Sequence, residues 1–368
     1  MAKNPKLVII VGAGIVGISL AWHLQNLGHE VKLVDPKLYQ LEINECASFA
    51  ATGILMGNIF NPTKGRSWQL RQKSITLWTQ WRNSLKFRQQ QLIYRPGLLF
   101  LSTNKQDQNS QFKAAHSRTE LSLSFWNRSM LNRLSPTIPE TVLAGLFSPE
   151  DGQIDPNHIL NAFYKDSLKR GLEIIPEMLI ALKRQNNEWR LEIERTHRLK
   201  APWVVLCAGF GLNSIFRRLG YDSVVESIIG QALQLELPHY SENNKWQNWP
   251  GSLMWRENSL TPINKNTFWI GSTLESSNYP EIGILGTLIN RYTTSPLWLK
   301  KSKIIKHWQG RRYRPIYKSA PLLQLLAPGL IVANAHYRNG MLLAPATAEW
   351  VQKCITLTSQ KEIPLNKV

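Results

Sequence analysis

The sequence predicts an α/β fold, in which a parallel β-sheet flanked by helices is interrupted by segments richer in strands. Three observations predict it. A strand, a glycine-rich turn, a helix and a second strand follow one another over residues 7–35, another strand, glycine turn and helix lie at 203–219, and a buried strand at 329–333 precedes a terminal helix. Continuous apolar strands of this kind are typical of a parallel sheet that is covered on both faces.

The opening unit predicts a dinucleotide site. The strand Leu7–Val11 runs into Gly12-Ala13-Gly14-Ile15-Val16-Gly17, which has the G-x-G-x-x-G spacing, and the next strand ends at Asp35. In this motif the first glycine permits the turn, the second lets backbone approach a pyrophosphate, and the third lets the helix pack on the strand. A carboxylate after the second strand accepts hydrogen bonds from ribose hydroxyls and would repel a 2′-phosphate. The residues therefore favour FAD or NAD over NADP, without deciding between the two.

The distribution of these units predicts a discontinuous domain. Segments of Rossmann character occupy residues 1–60, 140–220 and 305–368, whereas residues 61–139 and 221–304 are richer in strands and aromatic side chains. We therefore expect one dinucleotide-binding domain in three pieces, with a mainly antiparallel β substrate domain inserted between them. Residues 291–307 are predicted to form a helix with a basic, solvated face.

The chain carries a formal net charge of +19, which raises the question of a polyanionic partner or an acidic membrane surface. Most basic residues are dispersed, but eight of them crowd into residues 300–318. No nucleic-acid-binding motif accompanies this cluster, so RNA or DNA binding is an alternative rather than the main expectation. The cluster consists of Lys300, Lys301, Lys303, Lys306, Arg311, Arg312, Arg314 and Lys318.

Other features favour a cytoplasmic protein. We find no apolar stretch long enough to span a bilayer and no signal-peptide layout at the N-terminus. Cys46, Cys207 and Cys354 are far apart and form no C-x-x-C pair, so neither a disulfide framework nor a zinc site is predicted.

Seven motifs occur in an order that resembles a known family. They are GAGIVGISLAWHL (12–24), CASFAATGILMG (46–57), YRPGLLFLS (94–102), LSPTIPETVLAGLFSPEDGQIDPNHIL (134–160), VVLCAGFGLNSI (204–215), GSTLE (271–275) and HYRNGMLLAPATA (336–348). Over nearly its full length the chain resembles the D-amino acid oxidase-like FAD-dependent oxidoreductases, and within them it looks most like the glycine oxidases of thiamine biosynthesis. The resemblance implies their fold, a Rossmann-type FAD domain with an inserted β substrate domain.

The resemblance implies non-covalent FAD. Some relatives attach the flavin through a cysteine in the second half of the chain, but no cysteine lies between Cys207 and Cys354. The glycine motif and Asp35 would hold the ADP half, the small-residue loop Ser48–Gly53 the pyrophosphate and flavin, and the C-terminal motif the pyrimidine end of the flavin. The small residues of this loop are equally compatible with a tightly packed corner between a loop and a helix. The residues assigned to the cofactor are Gly12, Ala13, Gly14, Ile15, Val16, Gly17, Asp35, Ser48, Ala51, Thr52, Gly53, Ala208, Gly209, Asn339, Gly340, Met341 and Leu342.

The resemblance also implies oxidation of a small amine or amino acid by hydride transfer from Cα–H to flavin N5, with oxygen or another acceptor reoxidising the flavin. The family's carboxylate-binding arginine follows a glycine by two residues, which is the position of Arg312 after Gly310; the pair Arg314-Pro315 is a competing alignment. Arg338 matches a second active-site arginine. A guanidinium suits this role because it makes two parallel, charge-assisted hydrogen bonds to a carboxylate.

Two departures from the family weaken the expectation that glycine is the substrate. The family has a tyrosine three residues before the proline that here is Pro262, but this chain has Ser259, and the acidic glycine-containing run after the arginine keeps only Pro321. Two alternatives of other classes therefore stay open. One is an FAD-dependent oxidase of the tRNA-modification type, with the basic cluster as its RNA contact, and the other is a flavin-binding protein without amine oxidase activity. A homo-oligomer is compatible with the amine oxidase and with both alternatives.

Overall fold

The computed structural model describes residues 5–39, 47–195, 198–238, 246–276, 279–290 and 295–358. Its strands are β1 (Leu7–Val11), β2 (Glu30–Val34), β3 (Ile54–Leu55), β4 (Tyr94–Ser102), β5 (Ser124–Asn127), β6 (Ala144–Ile154), β7 (Glu173–Ile175), β8 (Leu179–Gln185), β9 (Glu188–Ile193), β10 (Arg198–Ala201), β11 (Trp203–Leu206), β12 (Val225–Glu236), β13 (Ser252–Trp255), β14 (Asn258–Pro262), β15 (Thr267–Gly271), β16 (Lys303–Pro315), β17 (Leu322–Ala327) and β18 (Leu330–Asn334). Its helices are α1 (Ile15–Asn26), α2 (Gly65–Phe87), α3 (Lys105–Ser117), α4 (Arg128–Leu131), α5 (Pro156–Lys169), α6 (Gly211–Arg218), α7 (Leu285–Asn290), α8 (Leu297–Lys300) and α9 (Gly340–Thr358).

A six-stranded sheet joins strands that are far apart in the chain. Its order is β17-β18-β11-β1-β2-β7, and all neighbours are parallel except β17 and β18. Alternate residues of β1 face opposite sides: Val8 and Ile10 pack with α1, α5 and α9, whereas Ile9 and Val11 pack with α6 and the small sheet β8–β10. Both faces are therefore covered, as the continuous apolar strands predict.

Aromatic side chains fill the core beneath the helices. Trp22 on α1 and Trp81 on α2 meet with ring centroids 5.1 Å apart, and Phe163 on α5 packs against both rings. The indole Nε1 of Trp22 donates a hydrogen bond of 2.8 Å to Oδ2 of Asp166, which satisfies its buried polar atom. Burying large apolar side chains of this kind contributes about 1.5–3 kcal/mol each. This contact fixes α2, which carries a residue of the candidate site, against the parallel sheet.

A second, nine-stranded sheet is mainly antiparallel. Its order is β16-β12-β15-β14-β13-β4-β6-β3, with β5 paired to β6, and only β13 and β4 run parallel. The predicted α/β fold, with a Rossmann-type sheet and a mainly antiparallel β part, is therefore confirmed. The domain boundaries stay a proposal. Strands β6 and β16 fall largely inside the pieces assigned to the FAD domain, yet both pair in the nine-stranded sheet.

The helix predicted over residues 291–307 is wrong over most of the part that the structure describes. Only the short α8 is helical, and β16 begins at Lys303 and pairs with β12 from Val225 to Glu236. This non-local pairing overrides the helical periodicity, since β propensity depends on the neighbouring strand. The basic residues Lys303 and Lys306 are exposed, as expected. Within the described ranges, no helix is both long and apolar enough to cross a membrane.

Candidate cofactor and substrate site

The glycine motif forms a tight turn between β1 and α1. Gly12 has φ of 106°, and a Cβ atom there would lie 2.5 Å from the carbonyl oxygen of Cys207 at the end of β11. A Cβ atom on Gly17 would overlap the carbonyl oxygen of Gly12, so the third glycine brings α1 against the turn. Gly14 precedes α1, and a Cβ atom there would contact only Ser48 Oγ, at 3.2 Å. The second glycine thus leaves room over the helix N-terminus, which is the geometry that a pyrophosphate needs.

Asp35 lies beside this turn, at the carboxyl end of β2. Its Oδ2 accepts a hydrogen bond of 2.7 Å from the Ala13 N–H, and its Oδ1 accepts one of 2.9 Å from the Lys37 N–H. Each carboxylate oxygen has two lone pairs, so acceptor capacity remains for hydroxyl groups of a ligand. The Ile15 N–H donates to Ser48 Oγ at 2.9 Å, which brings the small-residue loop to the helix N-terminus.

A cavity of about 490 Å³, here called the glycine-turn cavity, opens at the carboxyl ends of β1, β2, β11 and β18. Ligands of open α/β sheets bind in this kind of crevice. Its volume is in the range of cofactor pockets. Ten of the predicted site residues line it: Gly12, Gly14, Ile15, Val16, Asp35, Ser48, Ala208, Gly209, Arg312 and Gly340.

A second cavity of about 410 Å³, here called the arginine cavity, is lined by the nine-stranded sheet, by the small-residue loop and by the first residues of α1 and α9. The two cavities share lining residues that include Ile15, Ser48, Arg312 and Gly340, so they adjoin. The predicted site residues that line the arginine cavity are Ile15, Ser48, Ala51, Thr52, Gly53, Arg312, Arg338, Asn339, Gly340 and Met341.

Four predicted residues lie elsewhere. Ala13 lines a small cleft beside Asp35, and Gly17 packs against the turn. Leu342 is buried, and its carbonyl oxygen accepts a hydrogen bond of 3.0 Å from Trp78 Nε1. Arg314 lies at the surface, where its Nε donates to Glu226 Oε1 at 2.6 Å and this hydrogen bond raises the pKa of its guanidinium.

Arg312 is the best-enclosed of the predicted arginines. Its Nη1 donates to the carbonyl oxygen of Thr273 at 3.1 Å, and its Nη2 donates to Ser272 Oγ. Burial and, to a smaller extent, the neighbouring charge of Arg338 together lower the pKa of Arg312 to about 10, although Tyr337 and Glu275 act in the opposite direction. The guanidinium therefore stays protonated at neutral pH and lines both cavities.

Arg338 approaches the same space from the turn before α9. Its Nη2 donates a hydrogen bond of 3.0 Å to the carbonyl oxygen of Glu257, and its side chain lines the arginine cavity. Ser259 also lines this cavity. It is 4% exposed, and its Oγ donates to the Gly271 carbonyl oxygen at 3.0 Å.

Arg71 on α2 belongs to the candidate site but is not among the residues predicted from the sequence. It is 4% exposed and lines the arginine cavity. Its Nη1 donates to the Met56 carbonyl oxygen at 2.6 Å, its Nη2 donates to Asn339 Oδ1 at 2.9 Å, and its guanidinium lies 3.7 Å from the centre of the Phe60 ring. The sequence does carry a signal, since Arg71 shares the helix face of Ile75 and Trp78 at i, i+4 and i+7 spacing. A charged residue in an apolar stripe calls for a buried partner or a function.

Comparison with known proteins agrees with this geometry. A glycine oxidase from Bacillus licheniformis is 21% identical over 358 residues, covering 94% of this chain and 92% of the relative. A bifunctional protein ThiO/ThiG from Nostoc sp. is 23% identical over 366 residues, covering 97% of this chain, although the chain spans only 53% of that relative's length. The crystal structure of glycine oxidase from Geobacillus kaustophilus superposes with a TM-score of 0.79 at 20% identity, covering 98% of this chain and 97% of the other.

The family profile of FAD dependent oxidoreductases matches residues 8–353, which is most of the chain. The predicted resemblance and the predicted FAD cofactor are therefore confirmed. The chain belongs to the D-amino acid oxidase-like family of FAD-dependent oxidoreductases.

Proposed function

We propose that this FAD-dependent enzyme oxidises the C–N bond of a small amine or amino acid that carries a carboxylate. One observation carries the proposal: the buried guanidinium of Arg312 lies where the two cavities adjoin. A protonated arginine in such a position is suited to orient a carboxylate, and losing such a partner in a buried site costs about 2–5 kcal/mol.

The glycine-turn cavity is where we propose that FAD binds. The free space above Gly14 supports a pyrophosphate at the N-terminus of α1, and the carboxylate of Asp35 supports a ribose at the end of β2. The small-residue loop Ser48–Gly53, most of which lines the arginine cavity, supports the flavin end. When bound, FAD supplies the hydride acceptor, flavin N5, for the hydrogen on the substrate Cα.

The chain's own task is then to bind and orient the substrate. Arg312 would hold the carboxylate, and the like charges of Arg71 and Arg338 in the same cavity would favour the neutral amine over its ammonium form. Loss of a hydride from Cα and of a proton from nitrogen converts the amine to an imine. This step requires no side-chain base, so none is assigned.

Between the competing alignments, the observations favour Arg312 over Arg314. Arg312 is half-buried and lines both cavities, whereas Arg314 is exposed and paired with Glu226. The same two arginines also weaken the RNA alternative. Of the eight basic residues at 300–318, Arg312 lines the cavities and Arg314 is paired with Glu226, so the cluster does not form a single cationic surface for RNA. We therefore rank amine oxidation above an RNA-directed reaction and above a non-enzymatic flavoprotein.

We also propose that FAD is not covalently attached. Burial raises the pKa of the Cys207 thiol, and it raises that of Cys354 to about 11, so both thiols are protonated and weakly nucleophilic at neutral pH. Cys46 lies outside the described residues. A cytoplasmic location, the electron acceptor and a homo-oligomeric state stay predictions.

Anaerobic titration tests the proposed function. Purified enzyme with bound FAD is mixed with glycine, sarcosine, D-proline, D-alanine, iminodiacetate and D-aspartate, and flavin absorbance near 450 nm is followed. We expect at least one of these amines to bleach the flavin. If none does, while dithionite bleaches it fully, the proposed activity is wrong.

A further inference from the structure

The arginine cavity is unusually rich in positive charge. Arg71, Arg256, Arg312 and Arg338 all line it, and among its described lining residues Glu257 is the only acid. The backbone carbonyl of Glu257, rather than its carboxylate, is the group that accepts from Arg338. One carboxylate bound at Arg312 would leave Arg71 and Arg338 without an anionic ligand in the cavity.

Within the part of the chain that the structure describes, Arg71 has hydrogen-bond partners but no closely paired anion. The two oxygens that it contacts belong to a backbone carbonyl and an amide side chain, and its buried Nε has no partner among the described residues. Asp151 is the acid whose charge favours protonation of Arg71. However, Asp151 already accepts three hydrogen bonds of 2.9 Å from the N–H groups of residues 57, 58 and 59. Leaving a buried guanidinium without a close counter-charge is costly, which favours an anion that enters from the cavity.

Arg338 is close enough to Arg71 and Arg312 to affect the pKa of both. Its charge lowers the pKa of Arg71, and it also lowers the pKa of Arg312, although burial is the larger cause in both cases. Asn339, the residue after Arg338, accepts the hydrogen bond from Arg71. Three like charges thus surround one space, and a ligand with two negative charges would relieve their repulsion better than a ligand with one.

The lining of the arginine cavity also includes a small side chain. Ser259 stands where the resemblance implies a tyrosine, and it lies in the lining of the arginine cavity. A serine leaves more volume than a tyrosine, so this position is compatible with a substrate larger than glycine.

We propose that the substrate is a dicarboxylic amine, with one carboxylate bound by Arg312 and the second bound by Arg71 and Arg338. This inference rests on the proposed function, because it assumes that an amine is oxidised in this cavity. The second carboxylate can be attached to the substrate in two ways, through the nitrogen or through Cα. Both present the same chemistry to Arg71 and Arg338.

Matched substrate pairs distinguish a second carboxylate attached through the nitrogen from one attached through Cα. Iminodiacetate differs from sarcosine by a carboxylate on the N-linked carbon, and D-aspartate differs from D-alanine by a carboxylate on Cβ. The rate of anaerobic flavin reduction at low substrate concentration is measured for each. In at least one pair we expect the dicarboxylate to react about 10-fold faster or more, as expected for one added charge-assisted contact.

Substitutions then connect this preference to Arg71. Arg71→Gln should lower the dicarboxylate-to-monocarboxylate ratio about 10-fold or more. Lys73→Gln, which removes a charge from an exposed position of the same helix, should leave that ratio unchanged. If Arg71→Gln fails to retain FAD, Arg338→Gln makes the same test with the other arginine that we assign to the second carboxylate.

The possible failures have different meanings. If monocarboxylates reduce the flavin as fast as their dicarboxylate partners, the inference is wrong and the proposed function stands. If no amine reduces the flavin, the proposed function fails. The two carboxylate subsites are then tested separately, by measuring the binding of malonate and of acetate with calorimetry. Binding of malonate about 10-fold more tightly than acetate, abolished by Arg71→Gln, supports two carboxylate subsites; equal binding overturns them.

Discussion

A Cβ atom on Gly230 would overlap the guanidinium of Arg312. Gly230 lies on β12 and faces Gly310 on β16 in the antiparallel register. A Cβ atom on Gly310 would in turn overlap the Cβ of Ala50 in the small-residue loop. The glycine pair therefore lets the loop approach β16 and lets Arg312 fold across β12, both on the same face of the sheet. This explains why the glycine two residues before Arg312 belongs to the site.

Gly230→Ala should therefore weaken carboxylate binding without removing the cofactor. Displacing Arg312 from its hydrogen bonds with Thr273 and Ser272 should raise the Kd of a carboxylate inhibitor about 10-fold or more. The inhibitor is titrated against the flavin spectrum. As a control, Gly286→Ala introduces a methyl group at a position in α7 with no neighbour within 4 Å, and it should bind the inhibitor normally. Unchanged affinity in Gly230→Ala would show that Arg312 does not need this space.

Substituting the third glycine of the motif is expected to lower stability, whereas substituting the second is expected to lower FAD affinity. Gly17→Ala forces a methyl group into the Gly12 carbonyl and should destabilise the fold by about 1–3 kcal/mol. Gly14→Ala meets only Ser48 Oγ and should leave the unfolding temperature of the FAD-free protein near normal, while FAD affinity falls. Thermal unfolding and the flavin-to-protein ratio separate the two effects. A Gly17→Ala protein as stable as the parent would contradict the close approach of α1 to the turn.

The buried carboxyl group of Asp151 should make stability depend on pH. Burial raises its pKa to about 6 from the ordinary value of 3.8, although three backbone N–H groups oppose the shift. Between these two values the folded state holds more protons than the unfolded state, so stability falls as pH rises. The loss contributed by this group is about 3 kcal/mol, since each pKa unit corresponds to about 1.4 kcal/mol.

Urea unfolding at pH 4, 5, 6 and 7 measures this effect. The stability of the parent minus that of Asp151→Asn should decrease as pH rises from 4 to 6 and then level off, because asparagine does not titrate. A difference that stays constant over this range would place the pKa of Asp151 near its ordinary value. A difference that grows with pH would mean that the pKa is lowered.

Non-covalent attachment predicts that the flavin separates from the denatured chain. Heating the yellow protein and removing the precipitate should leave FAD in solution, because the thiols of Cys207 and Cys354 are both protonated and partly or fully buried. The absorbance of the supernatant is compared with that of the pellet dissolved in denaturant. Flavin that stays with the dissolved chain would indicate a covalent bond.

The extent to which the sequence predicts this site depends on how local each contact is. The glycine turn and Asp35 are predictable because their strand, turn and helix are contiguous in the chain. Arg71 is not, because its role depends on how α2 packs against Met56 and Asn339, which are distant in sequence. The strand Lys303–Pro315 is missed for the same reason, since β12 supplies its pairing.

The choice between Arg312 and Arg314 illustrates the same limit. The two residues lie two positions apart on one strand, so their side chains start on the same face and sequence spacing cannot separate them. They differ because the guanidinium of Arg312 lies over Gly230 of β12, whereas Arg314 is exposed and pairs with Glu226 of the same strand. Only the neighbouring strand decides which of the two is buried.

The most direct test of the central claim is anaerobic flavin reduction in the parent and in Arg312→Gln. With the best amine of the panel, we expect the substituted protein to retain FAD and to require a substrate concentration about 30-fold or more higher for the same reduction rate, which corresponds to at least about 2 kcal/mol. Reduction of the variant at parental substrate concentrations and rates would contradict the assignment of Arg312 to the substrate carboxylate.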